Sequence, residues 1–364
     1  GLFFVCAMLF SAGAFAAFSG GTYTIDKGSA ASATNYKSFK DLASDLYSGT
    51  RSDGGTANGP GISGAITVNV VAKSGPYTEQ VVFGAIAGAS SKNTITINGN
   101  GETIQFSATS STATHTIKID SGDFYTFDNL TVLANGTAYG RCFYLKNDAD
   151  NNTIKNCNLQ MPSINSTSRN NAYIAITQGD GSPTSYGDPG ENITIDNNTM
   201  SSKTKGPYAG IIIVNESAGT TKHEYHVTNN EIANWHNSGI WAYYVLDCDI
   251  SNNEIYNTST VATGVKYGIY LYNFRKGLGH QIKNNEIHSL SYQTSGYDYV
   301  YGIYAYCYYG TGTYDLVIEG NDISIDHPYY AYGVYAYPYR ATASSDVIVH
   351  DNDIEMNYKG TLTW

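Results

Sequence analysis

Between residues 238 and 357 the chain alternates apolar and polar positions with a period of two, the mark of β-strands. The same strand returns four times, as SGIWAY at Ser238–Tyr243, YGIYLY at Tyr267–Tyr272, YGIYAY at Tyr301–Tyr306 and YGVYAY at Tyr332–Tyr337. Each copy is followed by a second strand that ends in a tight polar turn, in DISNNEI, QIKNNEI, VIEGNDI and VHDNDI. The turn anchors Asn253 and Asn285 lie 32 residues apart, and Asn321 and Asn352 lie 31 apart. That is too long for a strand and its hairpin return. It fits a coil of three short strands stacked on the next coil by parallel pairing, so the pattern predicts an all-β solenoid of about nine or ten coils.

Within each coil Ile269 and Leu271, Ile303 and Ala305, Val334 and Ala336 are expected to point inward, with Ile250, Ile255, Ile282 and Ile287 lining the next two faces. Upstream, Gly21–Asp26 and Ala65–Val71 read as strands, as do GPYTEQVVF at Gly75–Phe83, Asn93–Phe106 and Phe124–Leu133. Ser38 caps an amphipathic helix that sets Phe39, Leu42 and Leu46 on one face, with Asp41 three residues after the cap. Such a helix suits a plug over the end of a solenoid, where strand edges would otherwise be bare. Residues 17–64 are therefore read as cap and loop and 65–364 as the array. The chain stops at Trp364 just after a repeat turn, so the array is expected to continue in a longer protein.

Composition narrows the partners. Charged residues are only 14% of the chain and the net charge is -11, without a basic run to displace counterions, which argues against nucleic acid. Anionic polysaccharide is repelled at long range. Residues 2–16 form an apolar run ending in Ala14-Phe15-Ala16, which reads as a secretory signal peptide lacking its start. A secreted or cell-surface protein without membrane insertion is expected. Four cysteines remain, Cys142, Cys157, Cys248 and Cys307, and alternation points the last two inward as small hydrophobes.

GPYTEQVVF followed by ITINGNGETIQF, together with the I-x-N-N-x-I turns of Ile250–Ile255 and Ile282–Ile287, resembles the pectin-lyase-like superfamily. The resemblance implies a right-handed parallel β-helix of three sheets, with the tyrosine-rich strands in the first sheet and the Asn-Asn turn between the second and third. The stretch from GTYTID to SSKNTITI is similar to large secreted surface proteins of Bacteroidota, which implies a C-terminal sorting module beyond Trp364. In the superfamily's enzymes, polysaccharide lies along the first sheet. The paired Asp and Gly-His-Gly of its polygalacturonases are absent here, as is the Asp pair of its pectin methylesterases.

Three columns of residues could carry function. The Asn column (Asn198, Asn230, Asn253, Asn285, Asn321, Asn352) reads as an amide ladder that holds register. The acidic column (Glu231, Glu254, Glu286, Asp322, Asp353) reads as a solvated face, with calcium as its alternative, and no cofactor is otherwise expected. Outward on the first sheet stand Trp241 and Tyr243, Tyr270 and Tyr272, Tyr304 and Tyr306, Tyr335 and Tyr337, two aromatic rows that form the candidate ligand-binding face. Lys266, Arg275 and His280 have the chemistry of a lyase's base and cation but lack a neighbouring calcium cluster, and Asp298, Asp315 and Asp326 fall in connections. No catalytic residue is assigned. The favoured reading is a non-catalytic binder of neutral glycan or a surface protein through the aromatic face, with self-association open. A polysaccharide lyase or hydrolase using the same face, or a structural spacer of a larger adhesin, are the alternatives.

Overall fold

The computed structural model of the chain describes residues 17–179, 187–203, 205–215, 224–258, 266–274, 279–291, 299–307, 315–326, 330–338 and 346–357, with Lys266 and Ser291 as backbone alone. The expected signal peptide (1–16), Arg275 and Asp298 lie outside the described residues.

Three parallel sheets of nine, twelve and ten strands run the length of the described chain. One coil passes through all three: Ser238–Tyr243 in the first sheet, Asp247–Ser251 in the second, Glu254–Tyr256 in the third, then Lys266–Tyr272 in the first again. The pairings within the sheets are parallel, and along the array they join equivalent residues of successive coils, such as Ile240 to Ile269 and Ile269 to Ile303. The chain is thus a right-handed parallel β-helix. Ile250, Ile255, Ile269, Leu271, Ile282, Ile287, Ile303 and Ala305 fill one continuous core, as the alternation predicts, and Val334 and Ala336 pack against it while partly exposed. All four cysteines, Cys142, Cys157, Cys248 and Cys307, are buried.

The cap is a helix, α1, at Phe39–Ser48. Ser38 Oγ accepts the Asp41 N–H at 2.9 Å and donates to the Asp41 carboxylate, satisfying an end that the helix itself cannot. Phe39, Leu42 and Leu46 are fully buried against Asn35–Tyr36 and Val81–Gly84, the outermost strands of the second and first sheets. Gly75–Phe83, expected as one strand, is two: Tyr77–Thr78 pairs in the third sheet and Val81–Gly84 in the first. The break is Glu79, whose half-buried carboxylate turns away to accept the Phe39 and Lys40 N–H groups at the start of α1.

The Asn column is a ladder. The Asn253 side-chain oxygen accepts the Asn230 backbone N–H and side-chain amide, and its own amide donates to the Val227 carbonyl and to Asn285. The pattern runs from Cys157, whose N–H donates to Asn198, to Asn352. The left-handed backbone falls on the residue before each anchor, at Asn156, Asn197, Asn229, Asn252 and Asn284, with Gly320 and Asp351 in the last two turns. Asn suits both positions for different reasons: tolerance of positive φ in the first, buried amide pairing in the second.

A second ladder shapes the first sheet. Gly210, Gly239, Gly268, Gly302 and Gly333 each sit where an added Cβ would fall 2.4–2.5 Å from Cγ2 of Ile232, Ile255, Ile287, Ile323 and Ile354. Gly268 and Ile269 are both buried, as are Gly302 and Ile303, so strict alternation breaks and the residue before each glycine turns outward.

Candidate functional site

Three rows of aromatic rings, not two, run along the outer side of the first sheet. The row that strict alternation hides is Tyr267, Tyr301 and Tyr332, turned out by the glycine that follows each. Its rings stack at 5.2 and 4.9 Å between centroids with planes 11° and 8° apart. In the central row Tyr270, Tyr304 and Tyr335 stack at 5.2 and 5.1 Å with planes 4° and 6° apart. The third row is Tyr243, Tyr272, Tyr306 and Tyr337, at 4.9, 5.2 and 5.3 Å. The first and central rows meet edge to face, for example Tyr301 against Tyr304 at 79°, while Tyr270 and Tyr272 lie parallel. Tyr299 and Tyr330 add a further pair at 5.1 Å.

These geometries are offset stacks and T-shaped contacts, the arrangements that the ring quadrupole favours, each contributing about 0.5–1.5 kcal/mol beyond area burial. A ring inside a row therefore has both faces against other rings. Its edge, not its face, is what a ligand can reach.

Trp241 departs from expectation further. It is buried, 7% exposed, rather than presented to solvent. Tyr208 leans on it at 5.0 Å, and the Arg169 guanidinium sits 5.3 Å from its ring and 5.5 Å from that of Tyr208. Trp241 meets Tyr270 edge to face at 5.7 Å and ends the central row upstream, where its register partners become Ile212 and then Ala175. Tyr243, Tyr270, Tyr272, Tyr304, Tyr306 and Tyr335 are half-buried, and Tyr299, Tyr330, Tyr332 and Tyr337 are exposed.

Burial, then neighbouring phenols, pushes the Tyr267 and Tyr301 hydroxyls up to about 12 and raises Tyr270 and Tyr304 also. These groups remain neutral donors and acceptors at any physiological pH. From Ser238 onward, the outward side chains described on the first sheet are Ser238, Trp241 and tyrosines; Lys266 is described only in its backbone. His280, a sequence candidate for acid–base work, is fully buried against Phe274, so it does not reach this face. Asp315 precedes the second-sheet strand Leu316–Glu319, whereas Asp326, expected in a connection, is the last residue of the third-sheet strand Asp322–Asp326 and pairs there with Asn357.

The acidic column is register-paired from Glu231 through Glu254, Glu286 and Asp322 to Asp353. Part of its repulsion is relieved within the fold. Tyr256 donates to Glu231 at 2.6 Å, and His288 Nε2 lies 3.1 Å from Glu254 and 3.9 Å from Glu286, its ring stacked on that of Tyr256. Among the described residues, Glu254, Glu286 and His288 bring donor atoms within 4.8 Å of one another, as do Glu319, His350 and Asp351. An imidazole beside carboxylates is a donor set for a transition metal more than for calcium.

No protein-family profile matches the chain, and no curated protein does. Solved structures that match include the pectate lyase Pel9A, at 11% identity and TM-score 0.40 over 90% of this chain and 79% of that one. An alginate lyase from Paenibacillus sp. str. FPU-7 matches at 10% identity and TM-score 0.33, over 93% of this chain and 97% of that one. At these values the likenesses carry nothing about the chemistry of this chain.

Proposed function

We propose that the chain is an exported β-helix protein that binds an extended neutral glycan along the tyrosine face without cleaving it. One observation carries the reading: the described outward positions of four successive first-sheet strands are uncharged and almost all tyrosine, in rows that follow the helix axis. A polymer lying along that axis meets a hydroxyl at each coil. Phenol hydroxyls held neutral both donate to and accept from sugar hydroxyls, and the ring edges between them supply apolar contact. Because the ring faces are occupied by one another, recognition runs through hydroxyls and edges rather than through stacking on sugar rings. The stacks hold the rings in place, which lowers the ordering cost of binding.

The net charge of -11 favours a neutral over an acidic polymer. No helix among the described residues is long and apolar enough to cross a membrane, and export rests on the N-terminal apolar run. Calorimetric titration with a neutral β-glucan, polygalacturonate and alginate, followed by ultraviolet absorbance for unsaturated uronate, tests the reading. Binding of the neutral polymer alone, without absorbance change, supports it. Cleavage of either acidic polymer would replace it with the lyase alternative, and binding to none would point to a protein partner or a spacer.

A further inference from the structure

The tyrosine rows have a chemical property independent of what they bind. Tyr301 and Tyr332 are register partners on adjacent strands, with rings 4.9 Å apart and planes within 8°. Tyr299 and Tyr330 are register partners too, 5.1 Å apart, and Tyr299 also lies 6.0 Å from Tyr332. Of these four, Tyr299, Tyr330 and Tyr332 are 39, 41 and 38% exposed, which opens them to a diffusing oxidant. With ring centroids 5.1 and 4.9 Å apart and the strands already in register, side-chain movement alone brings the ortho carbons of either pair together.

We infer that this margin of the tyrosine face is a site of oxidative coupling, where a one-electron oxidant of the haem peroxidase class joins Tyr299 to Tyr330, or Tyr301 to Tyr332, as dityrosine. Each phenol loses one electron to the oxidant and its hydroxyl proton to solvent, breaking two O–H bonds and leaving two phenoxyl radicals. The ortho carbons of the two rings form a C–C bond. The hydrogens on those carbons then move to the oxygens and restore both phenols. The protein loses two hydrogens per cross-link, and one hydrogen peroxide, taking up two electrons and two protons, becomes two waters. The bond ties successive coils covalently. The rows behind it, in ring contact as far as Tyr243 and Tyr270, give an oxidised site on the face neighbours to exchange electrons with.

Tyr47 separates proximity from mere exposure. It is the most exposed tyrosine described, at 63%, and has no ring neighbour among the described residues. The test treats the full chain with horseradish peroxidase and hydrogen peroxide, reads dityrosine fluorescence and intact mass, and maps the cross-linked peptides. The expected result is a monomer lighter by two hydrogens, with the bond between residues 299–301 and 330–332. Tyr330→Phe/Tyr332→Phe keeps the stacked rings but cannot form the radicals, so it should lose the cross-link while retaining the wild-type circular dichroism. Tyr47→Phe should leave the yield unchanged. Dityrosine found only between molecules, only through Tyr47, or undiminished in the double variant would overturn the inference, as would its absence.

Discussion

A methyl group added at Gly268 would lie 2.5 Å from Cγ2 of Ile287 and 2.6 Å from the carbonyl oxygen of Gly302. Both contacts are inside any tolerable approach, and neither neighbour is a free end that can swing away. The closeness lets the chain round from the third sheet into the first and turns Tyr267 outward. Gly268→Ala is therefore expected to destabilise the fold by about 2–3 kcal/mol through overpacking, read as a lower urea midpoint. A midpoint equal to wild type would show that the coil can open at no cost and that the glycine column is incidental.

The amide ladder makes a contrasting pair of substitutions. Asn253→Ala strips the Asn230 backbone N–H and side-chain amide of a buried acceptor and leaves the Val227 carbonyl without its donor. At about 1–3 kcal/mol for a buried polar group left unsatisfied, a loss of roughly 3 kcal/mol is expected. Asn252→Gly changes the adjacent residue, whose φ of 57° glycine adopts freely, and should leave stability within about 0.5 kcal/mol of wild type. Equal effects of the two would contradict the division of roles between the paired asparagines.

Asp150 gives a pH dependence in the acid range. Its carboxyl is raised to about 6 by burial and by Asp148, Asp123 and Glu191, against the Glu191 N–H that it accepts. Because the folded value lies above the unfolded one, the native state binds more protons between them, and stability falls as pH rises from about 4 to 6. The group is partly exposed, so solvent screening reduces the effect to about 1 kcal/mol. Asp150→Asn should raise the melting temperature at pH 7.5 and leave it unchanged at pH 4, checked by calorimetry at both values.

The tyrosine face predicts the opposite limb. Tyr267 and Tyr301 hold their protons to about 12 in the fold, above the ordinary value of 10.0. The native state is then the more protonated above pH 10, and stability is lost as pH rises from there through 12. Phenolate absorbance should appear late and together with loss of the β-sheet signal. Smooth titration of all tyrosines near pH 10 with the fold intact would show that the rows are solvated.

Much of this architecture was legible in the sequence. Ile269, Ile303 and the asparagine anchors recur at coil spacing, and side chains that meet only their own copies above and below are readable from period and alternation alone. What escaped has its cause elsewhere in the chain. Trp241 looks like its outward neighbours but is covered by Tyr208 and Arg169, which come from earlier coils and break no local pattern. Period two alone would set Tyr267, Tyr301 and Tyr332 on the inward face of Ile269, Ile303 and Val334. The signal lay in the glycine beside each, since glycine recurring mid-strand marks a close backbone approach. His280 failed in the other direction: its imidazole has the chemistry of a general base, while its place at the start of a second-sheet strand buries it beside Phe274.

The most direct test of a hydroxyl-reading face is the triple variant Tyr301→Phe/Tyr304→Phe/Tyr335→Phe, which removes three phenol oxygens and keeps every stacked ring. At a net 0.5–1.5 kcal/mol for each hydrogen bond lost, its affinity for the neutral glycan should fall at least about tenfold at an unchanged melting temperature. Binding as tight as that of the wild type, with the fold intact, would mean that the tyrosine rows hold the coils together and recognise nothing.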